Sequence, residues 1–455
     1  VDPRSGEMVA EFRSSTAKEV KEAVQRARVA QRGWGSSGNR EVRVAAIEAM
    51  EKVFARERES MVDCIAREVG FPRSDIAASY NSALRGIAYY VERYRSMVDR
   101  DFPLDQTLWP NTEARIVFEP QGVIGHIGIW NFPFWQTMIT AIPALLVGNA
   151  IVFKPSEQVT MTGLRIAELM HECGVPRDVY IPLIGGAYVG RQLVRSDCDM
   201  LAFTGGMAAG NWIANHAGVR PLLLELSGND AAVVCGDADL EQAAMGIATG
   251  TFARAGQVCI RIKRVYVEES VAEAFIQGLV AVTQRINVKE RIGPLIREEA
   301  RQEVDRVVIE AVDQGSRLLL GGKRIPGPGF FYEPTILQVF DDRLEVIREE
   351  TFGPVCSVRV VKDAGEAIDL ANSSRYGLGA TIWTQDMDNA QRIASRLEVG
   401  NVWINEWGRT LACGEYFQGC KRSGIASASE RLMLFMKKKT VITHRTSEPR
   451  PSWHK

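Results

Sequence analysis

The sequence predicts an α/β chain of two lobes, each a mostly parallel sheet with helices on both faces. Three observations carry that prediction. From residue 122 onward short apolar strands alternate with helices, the pattern of sheets covered on both sides. The alternation forms two series, one ending near Leu226 and the next starting near Ala231. The 455 residues fit two or three domains, and a composition of 46% hydrophobic and 24% charged residues excludes disordered, collagen-like and low-complexity chains.

The first hundred residues read as helices over 18–34, 41–69 and 75–98, with apolar positions three or four apart. The period then changes. Strands are expected at 114–119, 122–129, 151–153, 179–184, 200–203 and 222–226, with helices at 161–173, 189–194 and 208–217 between them. The second series places strands at 231–234, 264–267, 355–361, 380–383 and 401–404. Its helices fall at 240–252, 272–286, 299–314, 366–372 and 389–397. The stretch 321–329, GGKRIPGPG, is a turn-rich loop. Residues 437–445 read as a basic, β-branched strand, and 449–455 as a loose tail.

Charge and cysteine usage narrow the function. Lys+Arg number 55 against Asp+Glu 56, so no global field draws the chain to nucleic acid or an anionic membrane. No apolar run reaches the ~20 residues of a membrane span. The start, Val1-Asp2-Pro3-Arg4, lacks the basic-then-apolar pattern of a signal peptide, and the absence of Met implies a missing leading segment. Eight scattered cysteines without a CxxC pair, and five histidines never at i, i+4 spacing, point to a reducing, cytoplasmic setting and to no metal site.

Neither GxGxxG nor GxxxxGK[ST], GxSxG or HExxH occurs. Gly122, Gly125 and Gly128 lie within a strand and read as close backbone packing. Five stretches are more telling. Gly256-Gln257-Val258-Cys259 follows an apolar helix; its cysteine reads as a nucleophile or as a small buried hydrophobe. Leu224-Glu225-Leu226-Ser227-Gly228 ends a strand with a carboxylate, where ligands bind open α/β sheets; an ion-paired or capping Glu is the alternative. Trp130-Asn131-Phe132-Pro133 puts a neutral amide where an oxyanion donor would sit. Lys154-Pro155-Ser156-Glu157 and Glu349-Glu350-Thr351-Phe352-Gly353-Pro354 complete the set.

In this order the stretches resemble the NAD(P)-dependent aldehyde dehydrogenase superfamily over almost the whole chain. The resemblance implies two Rossmann-like α/β domains, for cofactor and catalysis, plus a small β-flap for oligomerisation. It places the cofactor domain at 1–98 and 119–226, the catalytic domain at 227–423 and the flap at 99–118 and 437–445. It makes Cys259 the nucleophile, Glu225 the general base and Asn131 the oxyanion amide. Ile129, Trp130, Lys154, Ser156, Glu157, Gly185, Phe203, Thr204, Gly205, Gly206, Leu226, Glu350 and Phe352 would bind the cofactor, NAD, with NADP as the alternative. Trp135, Gln136, Ile139, Val258, Ile260, Arg409, Leu411 and Phe417 would line the substrate pocket.

Most of that lining is apolar, so the expected substrate is an uncharged aliphatic or aromatic aldehyde. The alternative is a semialdehyde anchored by Arg409. A catalytically silent protein on the same fold is a further rival, as is a CoA-acylating relative, against which Glu225 argues. A homodimer or homotetramer is implied, with no nucleic acid or membrane partner. The sequence also departs from the family pattern. Gly206 stands where many members have Ser, Ser227 replaces the first glycine after the base, Ala187 takes a glycine-like position, and the late loop reads Tyr416-Phe417-Gln418-Gly419-Cys420.

Overall fold

Thr16 starts the first helix. Its hydroxyl accepts the Glu19 N–H while the Glu19 carboxylate accepts from the Thr16 N–H, a capping box. The computed structural model describes residues 1–97, 100–105, 107–109, 111–409, 417–425 and 431–445. Helix α1 (Ala17–Trp34) buries Val20, Ala23, Val24 and Ala27 on one stripe. The single helix expected over 41–69 is two, α2 (Arg40–Arg56) and α3 (Arg58–Val69). Glu57 leaves the helix between them and ion-pairs with Arg56 at 3.0 Å and Arg165 at 2.9 Å. After Gly70 and Pro72 the chain enters α4 (Arg73–Arg95).

Strands β1 (Arg100–Phe102) and β2 (Thr112–Pro120) precede the first parallel series. That series runs β3 (Val123–Ile127), α5 (Pro133–Leu146), β4 (Ala150–Lys154), α6 (Thr160–Glu172) and β5 (Tyr180–Pro182). It continues through α7 (Ala187–Arg195), β6 (Met200–Thr204), α8 (Met207–His216) and β7 (Leu222–Glu225). The second series begins with β8 (Asp230–Val234), α9 (Leu240–Phe252), β9 (Ile262–Glu268) and α10 (Glu269–Gln284). It adds α11 (Glu298–Asp313), β10 (Arg317–Leu320), β11 (Thr335–Gln338), α12 (Glu345–Arg348), β12 (Val355–Val361) and α13 (Ala364–Asn372). Then come β13 (Tyr376–Gly377), β14 (Gly379–Trp383), α14 (Met387–Arg396) and β15 (Asn401–Ile404). The chain closes with β16 (Cys420–Lys421), β17 (Gly424–Ile425), α15 (Arg431–Leu434) and β18 (Met436–His444).

The first sheet has the order β17-β7-β6-β3-β4-β5, and the second β10-β11-β12-β9-β8-β14-β15. Each is parallel apart from one edge pair, β17 on β7 and β10 on β11. Their strands are apolar almost throughout, as burial on both faces requires. A third sheet, β1-β2-β18, is antiparallel; all nine residues of β18 pair with β2, from Met436 opposite Pro120 to His444 opposite Thr112. Of the three glycines expected within one strand only Gly125 lies in β3, with Gly122 and Gly128 just outside its ends, and close packing accounts for all three: a Cβ would stand 2.2 Å from Asp199 at Gly122, 2.7 Å from Leu201 at Gly125 and 2.9 Å from Phe153 at Gly128. Among the described residues no helix is long and apolar enough to cross a membrane.

Parallel strands release their carboxyl ends on one edge of the sheet, which is where a ligand crevice forms. From that edge β3 leads to Asn131, β4 ends at Lys154, β6 at Thr204 and β7 at Glu225. The chain crosses directly from β7 into the second sheet, whose β9 follows the loop bearing Cys259. The sequence order of the motifs thus becomes a spatial cluster.

Candidate active site

From Arg254 to Val267 only Cys259 is not buried. The loop that presents it is tightly built. Arg254 and Ala255 take left-handed backbone conformations at φ 53 and 54, and Gly256 follows at φ 70. A Cβ on Gly256 would lie 2.0 Å from the Gly353 carbonyl oxygen, so the residue must be glycine for the Glu350 loop to pack behind it. Gln257, fully buried, donates to the carbonyls of Arg254 and Pro294 at 3.0 Å each and accepts from the Ile296 N–H at 2.9 Å.

Asn131 is tied to this loop in both directions. Its Nδ2 donates to the Gln257 carbonyl at 2.9 Å, and its own carbonyl accepts from Arg254 Nη1 at 2.6 Å. An amide nitrogen has two N–H bonds, so one is spent on the loop and the second remains to serve an oxyanion beside Cys259. The Arg254 guanidinium also lies 3.8 Å from the centre of the Phe132 ring and donates to Ser79 Oγ at 3.0 Å on α4.

Glu225 has partners on both carboxylate oxygens. Oε2 accepts from Gln136 Nε2 and, at 3.4 Å, from Thr204 Oγ1; Oε1 accepts from Arg431 Nη2 in a buried ion pair. Both readings of this residue from sequence are therefore realised together: it stands in the crevice and it is ion-paired. Behind Cys259, Lys263 Nζ donates to the Cys259 carbonyl at 2.6 Å and lies 3.3 Å from Glu350 Oε1. Asp230 is buried beside them, and burial pushes its carboxyl up to about 8 against the pull of Lys263. Burial likewise pushes the Cys259 thiol up to about 12, with Lys263 pulling it down and Asp230, Glu350 and Glu225 adding to the rise.

A cavity of about 180 Å³ opens over Cys259. Phe132, Trp135, Val258, Ile260 and Phe417 form its apolar wall, and Ser79, Ser82, Gln136, Thr204 and Glu225 its polar side. Ile129 and Leu226, expected on the cofactor, line this cavity too. Ile139 does not; it is buried one turn further along α5 than Trp135 and Gln136, which reach the cavity. Arg409 is also outside the lining, since its guanidinium turns to solvent and pairs with Glu406 at 2.7 Å. Leu411 lies outside the described residues.

A second cavity, of about 510 Å³, is lined by Lys154, Ser156, Glu157, Phe203 and the small residues Gly128, Ala187, Gly190, Ala208 and Ala209. Lys154 Nζ donates to the carbonyls of Pro155 at 2.7 Å and Gly185 at 2.9 Å and lies 3.6 Å from Glu157 Oε2. Trp130 packs edge-on against Phe352 with ring centres 5.8 Å apart. Gly205 and Gly206 lead into α8, where Gly206 is an N-cap without a side chain; from the end of the neighbouring strand β7, Ser227 Oγ accepts the Met207 N–H, the first of that helix, at 3.2 Å.

The residues suit a dinucleotide. Glu350 Oε1 is buried without a hydrogen-bond partner, its contact with Lys263 lacking hydrogen-bond geometry, and so can accept from a ribose hydroxyl. The larger cavity offers a narrow apolar slot beside the Glu157 carboxylate, as an adenosine requires.

Four side chains here are not singled out by the sequence. Arg254 and Asp230 occupy ordinary motif gaps, and Arg431 lies in a stretch without periodicity. Lys263 is one of three basic residues, with Arg261 and Arg264, in the stretch Ile260–Val267, and nothing in the spacing separates it from the other two.

Comparison with known proteins agrees with this geometry. The model of the Aldehyde dehydrogenase family matches residues 1–441. The succinate semialdehyde dehydrogenase [NAD(P)+] Sad of Escherichia coli K12 is 34% identical over 434 residues, covering 93% of each chain. The betaine aldehyde dehydrogenase of Bacillus subtilis 168 is 36% identical over 378 residues, 80% of this chain and 77% of its own. The crystal structure of a Staphylococcus aureus betaine aldehyde dehydrogenase in complex with NAD+ superimposes with a TM-score of 0.94 at 29% identity, covering 100% of this chain and 93% of that one.

Proposed function

The chain belongs to the aldehyde dehydrogenase family, and from that premise we propose how its residues divide the reaction and which aldehyde it takes. The activity is NAD(P)+-dependent oxidation of an aldehyde. Cys259 is the nucleophile: its thiolate adds to the carbonyl carbon and gives a thiohemiacetal oxyanion. The second N–H of Asn131 Nδ2 and the backbone N–H of Cys259 receive that oxyanion, and losing one such donor costs about 2.7–4 kcal/mol in the barrier. The nicotinamide, when bound, supplies the hydride acceptor. Glu157 and Lys154 hold the adenosine end and Glu350 the nicotinamide ribose. The thioester left on Cys259 is hydrolysed by water that gives a proton to Glu225, and the product is a free carboxylic acid.

The substrate is an uncharged, medium-sized aliphatic or aromatic aldehyde. One observation carries this: among the described residues one wall of the cavity over Cys259 is aromatic and aliphatic, the polar side holds the carboxylate of Glu225, and neither lysine nor arginine lines it. An anionic tail there would lose its hydration without a partner, whereas each buried methylene gains about 0.8 kcal/mol. The test is kcat/KM for hexanal and benzaldehyde against succinate semialdehyde and betaine aldehyde, with Arg409→Ala alongside. A large advantage for the semialdehyde that vanishes in the Arg409 variant overturns the reading. The three-stranded sheet leaves Ile442 and Trp109 exposed beside an apolar groove, which supports a homodimer or homotetramer.

A further inference from the structure

Glu225 faces two different environments. Oε2 meets Gln136 and Thr204, both of which line the cavity over Cys259. Oε1 meets Arg431, which reaches it from α15, is not a lining residue, and lies 206 positions away in the chain. The two side chains of the ion pair are only 3% and 10% exposed, so water screens their attraction little.

We infer that Arg431 is the positioning residue of the Glu225 base, gripping Oε1 from behind so that Oε2 is presented to the water that hydrolyses the thioester. The inference rests on the proposed role of Glu225 in deacylation. The step is balanced as follows. The water oxygen bonds to the thioester carbon, one water proton passes to Glu225 Oε2, the C–S bond breaks, and Cys259 leaves as a thiolate. For Oε2 to take that proton it must give up Gln136 and Thr204, two neutral donors, while the grip on Oε1 persists. Among the described residues, the charged and titratable groups facing Glu225 are Arg431 from α15 and Cys259 from its loop; α5 and β6 contribute the neutral Gln136 and Thr204.

Without the grip on Oε1 the carboxylate can turn away from the thioester, which slows deacylation and leaves acylation and hydride transfer untouched. The experiment measures the NADH burst and the steady-state rate, with hexanal and NAD, for Arg431→Gln, Arg431→Lys and Glu225→Gln. Arg431→Gln should keep the burst and lose about tenfold in steady-state turnover. Arg431→Lys should recover most of that turnover, because a cation still grips Oε1. A wild-type ratio of burst to steady-state rate in Arg431→Gln overturns the inference, as does an Arg431→Lys variant as slow as Arg431→Gln. Glu225→Gln separates the two ideas. A burst followed by a stall keeps the base role whatever Arg431 does; normal turnover, or no burst at all, sinks the base role itself.

Discussion

The guanidinium of Arg254 donates to the backbone carbonyl of Asn131 at 2.6 Å, so Asn131 is held by the same loop that carries Cys259. With the return bond from Asn131 Nδ2 to the Gln257 carbonyl at 2.9 Å, the two groups we propose to act on one carbonyl are fixed relative to each other. Arg254→Met should therefore lower kcat/KM by up to the 10²–10³ typical of losing one oxyanion donor, without exceeding the loss in Asn131→Ala. The double variant should be no worse than Asn131→Ala alone. Additive losses would show that Arg254 acts elsewhere.

How far the site was legible from sequence follows from what each residue's placement depends on. Cys259, Glu225, Asn131 and Lys154 sit at strand ends or in a loop between regular elements, and alternation with local turn chemistry is enough to place them. Their partners depend on tertiary contact. Gln136 could be placed on α5, but its bond to Glu225 joins residues 89 apart, and Arg431 reaches the same carboxylate across 206. Strands β10 and β11 were missed because Arg317–Leu320 is a half-exposed edge and Thr335–Gln338 follows a turn-rich loop, so neither shows a clean period. Of the residues the resemblance assigned to the substrate lining on this segment, Trp135 and Gln136 face the cavity over Cys259, whereas Ile139, one turn on along α5, lies beyond its end, which helical spacing alone does not reveal.

Lys263 should govern the reactivity of Cys259. Burial raises the thiol, and the Lys263 ammonium opposes the rise while Asp230 and Glu350 reinforce it. Lys263→Met removes the only lowering influence, so the thiolate forms at still higher pH. At pH 8 the rate of iodoacetamide labelling at Cys259, followed by mass spectrometry, should fall about tenfold for each unit of rise. An unchanged rate would deny the coupling, and labelling of Cys173 or Cys413 in place of Cys259 would deny the nucleophile itself.

The capping of α8 is testable by removal and rescue. Ser227 accepts the Met207 N–H, the first of the helix, and Gly206, the N-cap, has no side chain for the N–H groups of Ala208 and Ala209. Ser227→Gly should cost about 0.5–1.5 kcal/mol, the net worth of one such hydrogen bond. Adding Gly206→Ser in that background should restore most of it, because serine then caps the helix locally. Denaturant melts of the single and double variants read this directly; a double variant less stable than Ser227→Gly would refute the compensation.

Cofactor choice turns on the carboxylate of Glu157. It stands at the cavity expected to take the adenosine, with Lys154 3.6 Å away but already donating to the carbonyls of Pro155 and Gly185. A 2′-phosphate beside Glu157 would meet like charge, worth about 1–4 kcal/mol per unit pair at 4 Å between bulk-water and surface dielectrics. Arg191 works the other way. It lines the same cavity, with its guanidinium 5.6 Å from the centre of the Trp212 ring, and offers a phosphate a cation. Both groups are exposed, so screening does not separate them; NAD should prevail because Glu157 follows β4 by three residues, at the strand end where the ligand crevice forms, whereas Arg191 lies along α7. Glu157→Ser should then narrow the ratio of kcat/KM for NAD over NADP, and Arg191→Ala should widen it. Equal kcat/KM for the two cofactors in the unmodified enzyme would overturn the preference, and an Arg191→Ala variant that leaves the ratio unchanged would remove Arg191 from the site.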